Sequence, residues 1–354
     1  MKSHSELTHF AGLDWAKDHH DMCILDRQGQ IVAQFRFPHT GPGWQEWREK
    51  IRAYPALGVA VETSRGAAVE QLLASGVTVY PVHPKAAKAY RQRLAPSGTK
   101  DDVLDAWALA DALRLDGAPW RALSPQDAIV EELRFLCRDE EELIGQRTAL
   151  GKQLQAALRE YYPAALEAFE DWTQPYPWAF VKMFPTPQQL VQATLRRRQT
   201  FLHTHKLWRP GMAEERLAIF ARADQFCGGA AVTRAQSRLP LALCRSLETL
   251  PRQLDDYRAA IEKLFAEHPD HDVFGSLPGV GPKLGPRLLS AMGADRKQYP
   301  DVQDLQCLAG TAPVTYQNGQ IRRVKIRWHC DHHLRHAVPL WANYSRKTCT
   351  WATA

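Results

Sequence analysis

Within the first 116 residues, short apolar runs alternate with segments of helical periodicity, and two of the runs lead into an acid. Phe10-Ala-Gly-Leu-Asp14 is one, and Leu57-Gly-Val-Ala-Val61 runs straight into Glu62. Residues 22–25, 31–37 and 77–82 read as further strands, and the turn Asp26-Arg-Gln-Gly29 separates the first two of these. Helical segments fall at 43–54, at 67–75 and from Asp101 to Leu115. A hairpin meander followed by strand-helix-strand-helix predicts a mixed α/β sheet. Open sheets of this kind carry their sites at the carboxyl ends of strands, where Asp14 and Glu62 fall. Asp102 and Asp105, three apart on the closing helix, share a face.

Taken singly, such acids are more often helix caps or solvated charges, and Asp101 and Asp102 suit the first turn of a helix. Their order and context along the chain single them out. Four carboxylates converging on one spot repel one another unless cations neutralise them. Mg²⁺ suits that role, because it takes oxygen ligands and keeps waters for a phosphate substrate. Two such ions, roughly 3.5–4 Å apart, stabilise the attacking and leaving oxygens of a phosphoryl transfer.

The 354 residues predict two or three domains. Residues 126–161 have a heptad rhythm (Leu133, Leu136, Leu143, Leu150, Leu154, Ala157), with Glu140 and Arg147 at two seam positions. A cleaner seam runs through Leu243, Leu247, Leu250, Leu254, Tyr257, Ile261 and Leu264. These predict two long helices that pair with each other or across subunits, the second kinked at Pro251. Residues 163–232, rich in Trp and Pro, read as a small irregular helical insert carrying Arg196-Arg-Arg198, Lys206 and Arg209. The predicted boundaries are an α/β domain at 1–120, a coiled-coil and helical insert region at 121–272, and a mostly helical C-terminal domain at 273–354.

No apolar run is long enough for a membrane span, and the first residues lack a signal-peptide core. Seven scattered Cys without a CxxC pair indicate neither a disulfide framework nor a four-cysteine zinc site, which predicts a cytoplasmic protein. The net charge of +6 is concentrated: between Asn318 and Lys347 stand seven Lys and Arg and one acid, Asp331. Trp328, Trp341 and Tyr344 are interleaved with them, a mixture suited to a nucleic-acid backbone with base stacking. Upstream, Pro278-Gly-Val-Gly-Pro-Lys-Leu-Gly285 resembles a helix-hairpin-helix turn able to present backbone N–H groups and Lys283 to a phosphate. The bland alternative is a tight turn between two packed helices. Candidate nucleic-acid contacts are Lys283, Arg322, Arg323, Lys325, Arg327 and Arg335. His332 and His336 are spaced to share a metal on a helix, but no second ligand cluster accompanies them, so zinc is not expected.

Three blocks together carry a family resemblance. Phe10-Ala-Gly-Leu-Asp-Trp-Ala-Lys17, Val59-Ala-Val-Glu-Thr-Ser64 and Lys100-Asp-Asp-Val-Leu-Asp-Ala106 resemble those of the IS110-type DEDD transposases. The third block usually has Thr where this chain has Asp101, so the resemblance puts the metal ligands at Asp14, Glu62, Asp102 and Asp105. It implies an RNase H-like (RuvC-like) catalytic domain, a coiled coil and a C-terminal transposase domain. It also implies DNA cleavage and strand exchange with Mg²⁺, a noncoding guide RNA that pairs with target and donor DNA, and a homo-oligomer (dimer or tetramer) acting at the nucleoid.

The block Leu308-Ala-Gly-Thr-Ala-Pro-Val-Thr-Tyr-Gln-Asn-Gly319 resembles one that normally ends Ser-Gly, its Ser being the nucleophile that forms a serine–DNA phosphodiester. Here that position is Asn318, and an amide is no nucleophile for phosphoryl transfer. The substitution predicts a copy defective in strand exchange, or one whose nucleophile lies elsewhere. The family pattern also continues past the basic segment, which predicts a shortened C-terminus here. Two alternatives remain, a RuvC-like DNA junction nuclease using water and a catalytically defective nucleic-acid-binding protein. A sugar-kinase or actin-like reading needs a Gly/Ser/Thr phosphate turn after Asp14, and Trp15-Ala-Lys-Asp-His-His20 offers none.

Overall fold

The computed structural model describes residues 2–94, 101–123 and 127–353, so Lys100 of the third block and Ala354 lie outside the described residues. The chain forms two compact units, residues 1–125 and 126–354.

The first unit is built on a five-stranded mixed sheet in the order β3-β2-β1-β4-β5. Its strands are β1 (His9–Trp15), β2 (His19–Asp26), β3 (Ile31–Pro38), β4 (Leu57–Val61) and β5 (Thr78–Pro81). β1, β2 and β3 pair antiparallel, while β4 and β5 continue parallel to β1. The helices are α1 (Gly41–Ile51), α2 (Ala67–Ala74), α3 (Pro84–Leu94) and α4 (Asp102–Asp116).

Side chains alternate between the faces of a strand, and the cores follow that rule. Leu13, Met22, Ile24, Val59 and Val61 join Trp44, Trp47 and Leu72 of α1 and α2 on one face. Phe10, Cys23, Leu25 and Ala60 fall on the other, with Ala106, Leu109, Ala110 and Leu113 of α4. The same alternation carries Asp14 and Asp21 to the α4 face, and Glu62 follows directly on β4. α4 lies close on β1 because Gly12 has no side chain: a Cβ there would stand 2.0 Å from the carbonyl oxygen of Ala106.

In the second unit the two heptad segments are α5 (Ala128–Tyr161) and, after the insert, α12 (Arg238–Glu267). The insert comprises α6 (Pro163–Ala168), α7 (Pro175–Met183), α8 (Pro187–Gln192), α9 (Leu195–Thr204), α10 (Met212–Ala221) and α11 (Ala230–Gln236). Leu154 and Leu158 share a core with Leu243, Leu247 and Leu250, whereas Leu133 and Cys137 share another with Ile261 and Phe265. The long helices therefore pack antiparallel within one chain, and α12 runs on through Pro251. The insert is closed by Phe169, Phe180, Phe201 and Phe220. Arg198 of the basic triplet is buried there and donates to the carbonyls of Leu190 and Val191, so it is a structural residue.

The unit ends with α13 (His271–Gly275), α14 (Gly281–Met292), α15 (Val302–Leu308), the hairpin β6 (Val314–Asn318) and β7 (Ile321–Lys325), α16 (His332–Thr348) and α17 (Thr350–Thr353). Among the described residues no helix is long and apolar enough to cross a membrane.

Candidate active site

β1 and β4 are paired through Leu13 and Val61, and Asp14 and Glu62 are the next residue of each. Two carboxylates thus leave adjacent parallel strands side by side. α4 begins at this end. Asp101 is its N-cap, its side chain accepting from the N–H of Val103, so Asp102 and Asp105 fall in the first turn. Burial pushes the carboxyl of Asp14 up to about 7, and repulsion from Asp105, Asp102, Glu62 and Asp21 adds to it. The four predicted acids are therefore electrostatic neighbours.

Motif spacing does not reveal three more members. Asp21 stands directly opposite Asp14 in the β1–β2 ladder, and Arg36 stands opposite Asp21 in β3. Arg36 donates to both oxygens of Asp21, with Nη2 2.8 Å from Oδ2, and its Nη2 lies 3.5 Å from Asp102. Arg91 of α3 donates to Asp105 Oδ2 at 2.7 Å. Period-two alternation along 21, 23 and 25 is the signal that marks Asp21. The arginines come from other elements and leave no local signal.

Ligand atoms of His19, Asp21 and Asp102 all lie within 4.8 Å of one another, the one such group among the described residues. The four family acids are less tightly gathered than that trio. A hard divalent cation fits the site on one observation above others: Asp105 is buried, and its Oδ1 has no hydrogen-bond partner. An orphaned buried oxygen is costly unless a cation or donor meets it. Asp14, Glu62, Asp102 and Asp105 supply only oxygen, the donor set that Mg²⁺ takes.

In the second unit, Gly279 (φ +75°) and Gly281 (φ +60°) form the turn between α13 and α14. A Cβ on Gly279 would stand 2.6 Å from the backbone nitrogen of Ser345, and Trp341 Nε1 donates to the Pro278 carbonyl at 3.0 Å. The turn is thus pressed onto α16, the packing role that was the bland alternative, and leaves Lys283 exposed. Trp341 serves that packing contact.

Asn318 is the last ladder residue of the β6–β7 hairpin, opposite Ile321 and exposed. The loop Gly319-Gln320, with Gly319 at φ +52°, is the two-residue connection such hairpins favour. Arg322, Arg323 and Lys325 are exposed on β7, and Lys325 Nζ sits 5.0 Å from the Tyr316 ring centre. Arg327 and Arg335 behave differently. Arg327 donates to the Ala312 carbonyl, and Arg335 donates to the Arg327 carbonyl while lying over Trp328 at 5.0 Å. These two anchor the base of the hairpin. His333 of α16 pairs with Glu141 of α5, and His336 lies 3.9 Å from the same carboxylate.

The acids and the C-terminal turn coincide with regions recognisable in other proteins. Residues 11–163 match the DEDD transposase profile of IS110, and residues 271–354 match the transposase profile of the IS116/IS110/IS902 family. An IS117 transposase of Streptomyces coelicolor is 34% identical over 346 residues, which cover 95% of this chain and 84% of its own length. The 43.6 kDa protein of insertion element IS110 from the same species is 27% identical, across 88% of this chain and 77% of its own length. The 44.8 kDa protein of insertion element IS116 from Streptomyces clavuligerus is 25% identical with the same coverage. The chain belongs to the IS110 family of insertion-sequence transposases.

Proposed function

We propose that this transposase cuts and rejoins DNA by metal-dependent phosphoryl transfer, with Asp14, Glu62, Asp102 and Asp105 holding Mg²⁺, as two ions. Bound there, the metal supplies positive charge to the attacking and leaving oxygens of the transferred phosphoryl group. One observation carries this reading: the buried, donor-less Oδ1 of Asp105 stands near a carboxyl, Asp14, that its surroundings push up to about 7. Such charge frustration is typical of functional sites. Arg36 and Arg91 keep the acids partly neutralised and fix the carboxylate orientations. Residues 1–120 serve as the RuvC-like catalytic domain, 121–272 as the coiled-coil and insert region, and 273–354 as the transposase domain. Lys283, Arg322, Arg323 and Lys325 bind the phosphate backbone of DNA and of a guide RNA, while base pairing by that RNA reads sequence. The working form is a homo-oligomer.

Asn318 occupies the place of the expected nucleophilic Ser, at an exposed hairpin end suited to reaching a phosphodiester. This copy then lacks the covalent step. A second reading, a junction nuclease using water, draws on the same asparagine. Asn318→Ser, assayed with Mg²⁺, cognate RNA and element-end DNA, is expected to yield a covalent protein–DNA adduct that the unmodified chain does not form. Hydrolysed ends without an adduct from both proteins would favour the nuclease.

A further inference from the structure

Helix α3 touches the acids through Arg91, and its other cations take no part in that contact. It carries Lys85, Lys88, Arg91 and Arg93 and no acid. Its inner side packs on α4: Ala87 is buried in the core formed with α4, and the ring of Tyr90 packs against Trp120 at 6.0 Å. Arg93 is taken by Asp111 at 3.0 Å. Lys85 and Lys88 are exposed, and their ammonium groups make no ion pair with a described residue. Lys85, Lys88 and Arg91 recur every three residues, so they line one side of the helix. That line ends at a carboxylate of the site, because Arg91 is bonded to Asp105 Oδ2 at 2.7 Å.

The charges are arranged in a gradient of use. Two cations without an ion pair among the described residues stand outside, and the third is docked on an acid whose other oxygen has no donor. Successive cations are about 4.5 Å apart along the axis, from a rise of about 1.5 Å per residue. One strand of a nucleic acid carries a phosphate about every 3.4 Å of axis. An all-cationic, solvent-facing helix leading to an acidic centre complements a polyanion that has to be brought to that centre against the repulsion of its acids.

We propose that the Lys85–Lys88–Arg91 side of α3 binds the phosphodiester backbone of the DNA strand delivered to the carboxylates. Lys85 and Lys88 contact phosphates. Arg91 is a positioning residue that orients Asp105 and compensates its charge until a divalent ion is bound. This rests on the reading of the acids as a DNA-processing centre.

The test is salt-dependent binding of the full chain to fluorescently labelled single-stranded DNA, without divalent ions, by anisotropy. Lys85→Ala/Lys88→Ala is expected to weaken binding about tenfold or more. It should also lower the slope of log K against log salt by about 1.4, roughly 0.7 per lost single-strand phosphate contact. Arg322→Ala/Arg323→Ala, in the other unit, serves as the comparison. Wild-type affinity and slope in the α3 variant, with a loss in the hairpin variant, would overturn the proposal and leave the DNA reading standing. An α3 effect confined to RNA of equal length would overturn the assignment to DNA. No nucleic-acid binding by the unmodified chain would overturn both. For Arg91, the readout is the Tm rise on adding Mg²⁺. Arg91→Gln is expected to enlarge it, with Arg91→Lys in between, and an unchanged rise refutes the positioning role.

Discussion

Two buried carboxylates, one in each unit, meet opposite surroundings. Glu140 sits in the seam of α5, its side chain 3% exposed, and accepts from Arg258 of α12 at 3.0 Å and Arg287 of α14 at 2.8 Å. Burial pushes its carboxyl up, but the hydrogen bonds and charges of Arg287 and Arg258 outweigh that and hold it below its usual value. Asp105 is nearly as buried, yet it has one arginine and an orphaned oxygen, and with Asp102, Glu62 and Asp21 it adds to the burial that raises Asp14 to about 7. Both oxygens of Glu140 are met, Oε1 by Arg258 and Oε2 by Arg287, which ties three helices together, although Nε of Arg287 is itself buried without a hydrogen-bond partner. The acids around β1 are unfinished, and what would complete them is a cation from outside. Burial of charge alone does not tell a site from a strut; the balance of partners does.

That contrast is open to direct attack. The largest effect is expected from Asp105→Asn or Asp102→Ala, which should lower metal-dependent DNA cleavage on the order of 10³-fold or more, as loss of a principal electrostatic group does. Metal-free stability should hold or improve, because a repelling charge is gone. Glu140→Gln should do the reverse. Removing one member of a buried ion network leaves uncompensated charge and costs about 3–5 kcal/mol, seen as a drop in chemical-denaturation stability. If Asp14→Asn destabilises the chain as much as Glu140→Gln, the distinction between the two carboxylate sites collapses.

Next in size is Gly12→Ala. A methyl group 2.0 Å from the Ala106 carbonyl oxygen forces α4 away from β1, an overpacking cost of about 3 kcal/mol. Activity should fall further than stability predicts, since α4 carries both Asp102 and Asp105. Equal activity per folded molecule would show that α4 tolerates displacement.

The two units should also respond to pH with opposite sign. Asp14 holds its proton more tightly folded (about 7) than at its ordinary value of 3.8. Between these values the folded state binds the extra proton, so the metal-free first unit loses stability as pH rises from about 4 to 7. Glu140 is lowered from 4.5, so its contribution is present above that value and is lost as pH falls through the depressed one. Hydrogen exchange resolved by unit would read both trends, and Asp14→Asn should flatten only the first. A first unit that gains stability as pH rises across that window would contradict the crowding.

Much of this was legible in the residues. The five strands stand in the sequence as apolar runs, and the runs that lead into Asp14 and Glu62 mark the two strand ends where the acids meet. The seam leucines foretold the α5–α12 pair, though whether the partner lay in the same chain could only be seen in three dimensions. Asp21 is readable by counting back from Cys23 and Leu25. α3 is harder, because a short, highly charged segment with only Ala87 and Tyr90 turned inward has too little apolar periodicity to announce itself. Its Arg91 meets an acid 14 positions on, and Arg287 reaches Glu140 across 147. Contacts at such separations are products of packing and have no local trace. The β6–β7 hairpin did leave one, in Asn318-Gly319 between two β-prone runs, but a motif read for its nucleophile hides its turn.

The smallest expected effect tests the register of the third acidic block. Asp101 and Asp102 are adjacent, and either could be taken as the family's ligand. Asp101 is the α4 N-cap, with its carboxylate accepting from Val103 N, whereas Asp102 lies 3.5 Å from Arg36 and within 4.8 Å of the ligand atoms of His19 and Asp21. Asp101→Ala should therefore cost about 1 kcal/mol, the usual value of a lost cap, with cleavage per folded molecule unchanged, and Asp101→Asn or Asp101→Ser should restore the stability. Asp102→Ala should cost little stability and nearly all activity. Because a cap and a ligand fail in different observables, measuring unfolding and cleavage on the same two variants separates the roles. Equal loss of cleavage from both would mean that the cap itself sets the position of the acids, and that the boundary between the helix start and the site falls one residue earlier.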